Sequence, residues 1–269
     1  MNISFLLVYF STIGLAVGVL SMLFGIGGGL LIVPATFLAL TYNGLPADIA
    51  MKMAVATSLF TIFASSLNIL YKQHKAGFVL WPHVKTILPF LLIGSLFGFY
   101  LAHHFSGNIL RWLFTFFLIV IIIRSLLNKN FTNTHQLTDF TQPSRVSFGC
   151  VGVIVGTLSI LLGVGGNVIL IPYLRHFKMP MKNATAFTVA LMPILALVGS
   201  IGYLKMGLSI SGLPKYSLGY IYLPAFILIQ FGAFIGAELG KQLLARIDDR
   251  FQAKAYNGML IIIAILMII

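Results

Sequence analysis

The chain has 269 residues, 59% of them hydrophobic and only 8% charged, with a mean hydropathy of +1.02. Soluble domains carry about a quarter charged residues, so the 17 Lys and Arg and 5 Asp and Glu here are too few to solvate a globule of this length. Composition excludes a soluble enzyme, a coiled coil and a disordered tail, and predicts an all-α polytopic membrane protein with the lipid bilayer as its solvent. A net charge of +12 would suggest nucleic acid in a soluble chain. In a membrane protein it reads as the Lys and Arg excess of cytoplasmic loops. No basic cluster is interleaved with aromatics, so no nucleic-acid partner is expected.

No charged residue occurs from Met1 to Tyr42, a run longer than the ~20 apolar residues that cross a bilayer. It lacks a positive n-region and a clean cleavage site, and is read as a mature first helix rather than a removed signal peptide. Apolar segments of the first half are predicted at 4–24, 29–41, 47–71, 82–102 and 109–127. Those of the second half are predicted at 146–162, 167–178, 183–204, 217–240 and 253–269. Between the halves, 128–145 is polar and is expected to be a mobile cytoplasmic linker, open to proteolytic nicking. The chain thus divides into a first transmembrane repeat (1–127), the linker (128–145) and a second repeat (146–269). Cys150 is the only cysteine, which excludes an intrachain disulfide and reads as a small packing residue within a helix.

The halves repeat one another. Gly14 to Pro34 aligns with Gly152 to Pro172 at an offset of 138, pairing Gly18/Gly156, Ser21/Ser159, Gly25/Gly163, Gly27/Gly165, Gly28/Gly166 and Pro34/Pro172. Met51-Lys52 matches Met181-Lys182 at an offset of 130. Gly94 and Gly98 return at 138 as Gly232 and Gly236. A tandem duplication is expected.

Charge then sets topology. With every segment returning the chain to the other face and the N-terminus outside, 13 Lys and Arg fall on inside connections and 4 outside (Lys52, Arg111, Lys205 and Lys215). Fusing the first two segments of each half into one crossing leaves 9 against 8, which is no bias. The positive-inside rule therefore favours ten segments with both termini outside. Five segments per half is an odd number, so the second half enters upside-down, as an inverted-topology repeat.

The segments 29–41 and 167–178 are too short for a core about 30 Å thick. They reach across it only if their Gly-rich starts lie inside the membrane as broken or re-entrant turns, which need protein or a wet cavity around them. Gly25, Gly27, Gly28 and Gly29 form one turn; Gly163, Gly165, Gly166 and Asn167 form the other. Two helix N-termini would then converge from opposite faces, a geometry that attracts anions. Tight helix packing is the competing reading of glycine, and it is the stronger one for Gly14/Gly18, Gly94/Gly98 and Gly232/Gly236. Lys52 and Lys182, at matching places, are either interfacial lysines snorkelling to head groups or mouth residues that draw anions in. Thr57, Ser58 and Thr188 are either hydroxyl donors to an oxyanion or side chains bonded back to their own helix. Asn68 and Asn167 are amides at membrane depth, Asn167 being the better ligand. Asp48 reads as a helix N-cap, and Glu238 as an ion-pair partner of Lys241. No His, Cys or carboxylate spacing supports a metal, no catalytic constellation is visible, and no cofactor is expected.

At these residues the chain resembles the sulfite exporter TauE/SafE family of bacterial inner-membrane permeases, over essentially its whole length. The resemblance rests on Gly25-Ile-Gly-Gly-Gly29 with Pro34, on Gly163-Val-Gly-Gly with Pro172, and on Ala54-Val-Ala-Thr-Ser58. Two positions depart from the family pattern, Asn167 where a third Gly is common and Ala56 where Gly is frequent; they bear on substrate rather than membership. The resemblance implies export of a small sulfur-containing anion, such as sulfite or sulfoacetate, across the inner membrane. The scarcity of carboxylates fits a uniporter working by alternating access. A non-transporting receptor or scaffold and an anion channel are the rival readings, and a homodimer is compatible with each.

Overall fold

The computed structural model describes residues 3–24, 28–127, 140–141, 143–244 and 249–268. Gly25, Gly27 and most of the predicted linker therefore lie outside the described residues. Among the described residues there are ten helices: α1 (Ile3–Phe24), α2 (Gly29–Tyr42), α3 (Ala47–Lys75), α4 (Trp81–His104), α5 (Gly107–Leu127), α6 (Arg145–Leu162), α7 (Asn167–His176), α8 (Met181–Gly207), α9 (Leu223–Leu244) and α10 (Asp249–Ile268). Seven of them, α1, α3, α4, α5, α6, α8 and α9, are long and apolar enough to cross a membrane. The protein is a multi-pass, all-α membrane protein. The 14 residues of α2 and 10 of α7 span only about 21 and 15 Å at 1.5 Å per residue.

The long helices α3 and α8 pack along each other at the centre, and α3 from Met51 through Leu59 is wholly enclosed except at Lys52. Around them α1 lies along α9 and α4 along α6. These are the same pairing with the halves exchanged. Both seams are built on small residues. A Cβ at Gly14, Gly18, Gly232 or Gly236 would come within 3 Å of backbone across α1–α9, and one at Gly94, Gly98 or Gly156 would do so across α4–α6. Association in lipid depends on such close backbone approach, because no hydrophobic force separates helix from solvent there.

Polar contacts gather at two opposite ends of the bundle. At one, the Asp48 carboxylate accepts from the Gly107 amide, and Arg111 Nε donates to the Met267 carbonyl at 2.6 Å. At the other, Asn183 Nδ2 donates to the Phe78 carbonyl at 3.1 Å and Thr141 N to that of Phe177 at 3.1 Å. The first group belongs to connections read from charge as outside, the second to those read as inside.

Four expectations need correction. The segment predicted at 217–240 begins instead at Leu223, because Ser217–Leu218 and Ile221–Tyr222 form a small antiparallel hairpin, β1 and β2. Tyr216 and Gly219 both adopt positive φ (67° and 55°), which no helix accommodates. Cys150 is exposed rather than packed, since its neighbours Gly149 and Gly152 are the residues turned toward Phe90. Asp48 does not cap its own helix: Pro46 occupies that position while the carboxylate reaches α5. Glu238 and Lys241 are both exposed on α9 and form no ion pair; among the described residues it is Lys52 that pairs, with Asp48 at 3.8 Å.

Candidate functional site

The start of α2, at Gly28 and Gly29, meets the turn between α6 and α7 in the middle of the bundle. Gly28 precedes α2 and Gly166 precedes α7, both in helical backbone geometry (φ −66° and −63°), and neither N-terminus is capped by its N-cap side chain. The first helical bonds run from Leu31 and Ile32 to the Gly28 carbonyl, and from Ile169 and Leu170 to that of Gly166. The N–H groups ahead of them have no intrahelical acceptor, and they carry the positive end of each helix dipole. Pro34 and Pro172 each occupy the sixth residue of their arm. Each removes one backbone donor and frees the carbonyl four residues earlier.

The turns touch directly. A Cβ on Gly29 would lie 2.6 Å from the Gly163 carbonyl oxygen and 3.0 Å from Val164 Cα, so the two chains approach at a distance only glycine permits. Gly163 ends α6 in the left-handed conformation at φ 65°, where an L side chain costs about 1–2 kcal/mol. Its carbonyl also accepts from Ser58 Oγ on α3 at 2.7 Å. Ser58 is 11 residues beyond Ala47, or about 16 Å along the axis of α3. Ile62, whose Cδ1 faces Gly29, is one turn further. The contact thus sits near the middle of α3, whose 29 residues extend about 43 Å.

The remaining candidates fall into three groups. Ser58, Asn167, Gly165 and Gly166 are buried at the turns, and the Asn167 amide oxygen lies over Gly165. Thr57 is fully buried beside Ser58, but its hydroxyl accepts the Tyr222 amide at 3.0 Å. Thr188 is buried and bonds back to the Thr185 carbonyl at 2.9 Å, so its hydroxyl proton is used within α8. Lys52 and Lys182 do not reach the turns. The Lys52 ammonium pairs with Asp48, while that of Lys182 stands 5.9 Å over the Phe78 ring at the opposite end. Asn68 is exposed on α3.

Sequence reasoning missed Thr36. It is fully buried, and its hydroxyl has no hydrogen-bond partner among the described residues. On α2 it shares a face with Gly29, Val33 and Leu40, at positions close to a multiple of the helical period. The only signal in the sequence was a hydroxyl residue midway along a largely apolar arm. Ser200, on α8, is likewise buried with an unpaired hydroxyl.

Ser58→Ala removes a side-chain bond that joins the halves at the turns and leaves the Gly163 carbonyl without that donor. The expected cost is about 1–3 kcal/mol, read as a lower unfolding temperature in detergent against the Thr188→Ala protein.

The sulfite exporter TauE/SafE family model matches residues 10–267. A probable membrane transporter protein of Methanocaldococcus jannaschii is 32% identical over 88% of this chain and 86% of its own length. A probable membrane transporter protein of Haemophilus influenzae is 29% identical over 94% of both chains, and YunE of Bacillus subtilis, named in the same way, is 27% identical over 94% of this chain and 93% of its own. No solved structure matches. With its glycine turns, its seven spanning helices and a family match from near one end to the other, the chain belongs to the sulfite exporter TauE/SafE family of membrane transporters.

Proposed function

We propose that the protein is a secondary transporter that exports a small sulfur-containing anion, sulfite or an organosulfonate, from the cytoplasm across the inner membrane by alternating access. The observation that carries this reading is the contact of Gly29, at the start of α2, with Gly163 and Val164 in the turn that leads into α7, midway along α3. Amide groups aimed from two opposed helices hold an anion without any positive side chain. An oxyanion takes several such donors at once.

The halves are read as an inverted duplication. The exchange-related pairing of α1 with α9 and α4 with α6 supports this, as does the common position of Pro34 and Pro172. In the present conformation the turns are in backbone contact, and the hairpin β1–β2 covers Thr57 from the outer side. We read this conformation as an occluded state. The anion enters when one half tilts and Gly29 separates from the Gly163 carbonyl, whose partial negative charge now lies at the positive end of α2.

Moving one negative charge out of a negative interior gains about 2.3 kcal/mol per 100 mV, so a uniporter needs no proton site. In proteoliposomes, sulfite efflux is expected to rise with an inside-negative potential and to be indifferent to a pH gradient of matched size. Flux that follows the pH gradient and ignores the potential replaces uniport with proton coupling. An absence of flux for sulfite, sulfoacetate and taurine alike returns the protein to a receptor or scaffold.

A further inference from the structure

On the far side of α2 from the turns lies a cavity of about 440 Å³, framed by α1, α2 and α10 and lined almost wholly by apolar side chains. Leu31, Pro34, Ala35 and Leu38 form its α2 wall and recur at helical spacing. At 100° per residue this stripe is about 180° round the helix from Gly29, Val33 and Thr36. One short arm therefore has the candidate site in front and the groove behind. On α10, Gly258 lines the groove and has no atom within 4 Å of the position a Cβ would take, so space is left there rather than filled.

A cation stands beside the outer end of the groove, on residues adjoining its lining. Leu38 and Leu266 line that end, and their chain neighbours Phe37 and Met267 hold Arg111. The guanidinium carbon stands 5.2 Å over the Phe37 ring, and Nε donates to the Met267 carbonyl at 2.6 Å. The two terminal nitrogens have no further partner among the described residues. Asp48, the carboxylate of that end, is engaged by Lys52 and the Gly107 amide.

We propose that this groove binds one phospholipid, with an acyl chain along the back of α2 and the phosphate on Arg111. The surrounding solvent is hydrocarbon, so an apolar groove open to it fills with chain rather than water. A guanidinium with a free fork matches a phosphate in geometry as well as in charge. A helix from a second copy fits less well. The cavity is roughly the volume of a single turn of a helix 10 Å across.

The test uses the full chain, purified in detergent, and dioleoyl phosphatidylglycerol as the probe. Native mass spectrometry is expected to find one lipid retained per wild-type chain, and added lipid to raise the unfolding temperature. Gly258→Phe fills the groove and is expected to lower retention at least tenfold and to abolish the thermal shift, with its lipid-free unfolding temperature unchanged. Gly258→Leu makes the same comparison should the larger side chain impair folding. Arg111→Gln is expected to weaken retention of phosphatidylglycerol while leaving dioleoylglycerol, which has no phosphate, bound as in the wild type. Undiminished phosphatidylglycerol retention in the groove-filled variants overturns the proposal. So does conversion of a dimer to monomers by those variants, which assigns the groove to a second copy.

Discussion

Alanine at Gly156 is expected to destabilise the protein by forcing the α4–α6 seam apart. The added Cβ falls within 3 Å of the Leu91 carbonyl oxygen and of the Ser95 amide nitrogen. Both are backbone atoms of α4, so neither can rotate away as a side-chain tip would. The helices must separate along the seam, and Gly94 and Gly98, which press on the Val153 and Thr157 backbone, lose their contacts with it. Overpacking of this kind costs about 1–3 kcal/mol and sometimes more. Thermal unfolding in detergent and the yield of folded protein are the measurements. Gly258→Ala is the control: with nothing within 4 Å, it gains helix propensity of up to about 1 kcal/mol and is expected to match or exceed the wild type. Equal unfolding temperatures for the two variants would mean that the α4–α6 seam is looser than described.

At the turns, Gly163→Ala is expected to abolish anion flux. Two costs combine there. The backbone at φ 65° penalises any side chain by about 1–2 kcal/mol, and the Cβ crowds Val33 Cγ2 and the Val55 backbone at 3.0–3.1 Å. Gly44→Ala separates the two effects. Gly44 also has positive φ, 85°, but has no neighbour within 4 Å, so it carries the conformational penalty alone. Both variants are expected to unfold at lower temperature, but only Gly163→Ala to lose sulfite flux, by at least tenfold. Parallel losses of flux in the two would trace the defect to general instability rather than to the meeting of the turns.

Much of the architecture is written locally in this chain. Uninterrupted apolar runs and their bounding Gly, Pro and Lys residues place nine of the ten helices within a few residues, down to the starts of the short arms at Gly29 and Asn167. The exception is instructive. Ser217 to Tyr222 is as apolar as a helix start, and only the positive φ at Tyr216 and Gly219 reveals a hairpin. Tyrosine at positive φ has no sequence signature.

The partners of the polar candidates were less legible, because they depend on packing between distant parts of the chain. Ser58 finds Gly163 at a separation of 105 residues and Thr57 finds Tyr222 at 165. Asp48 has the spacing of an N-cap and acts across to α5 instead. Hydroxyl spacing alone did not distinguish Ser58, which bridges the halves, from Thr188, which bonds back into its own helix. The seam glycines were legible as packing residues because the i, i+4 repeat itself states the physics. Their partners, α1 with α9 and α4 with α6, came only with the fold.

The reading of two amide-lined turns as an anion site reached from each face in turn is tested most directly by thiol accessibility. Cys150 is the only native cysteine, so Cys150→Ser gives a clean background for Leu30→Cys or Val164→Cys, at buried positions beside the turn contact. A membrane-impermeant maleimide applied to oriented vesicles is expected to label each site slowly from either side, and sulfoacetate to slow labelling from both. Labelling from a single side, or rates that sulfoacetate leaves unchanged, would contradict a shared anion site between the halves.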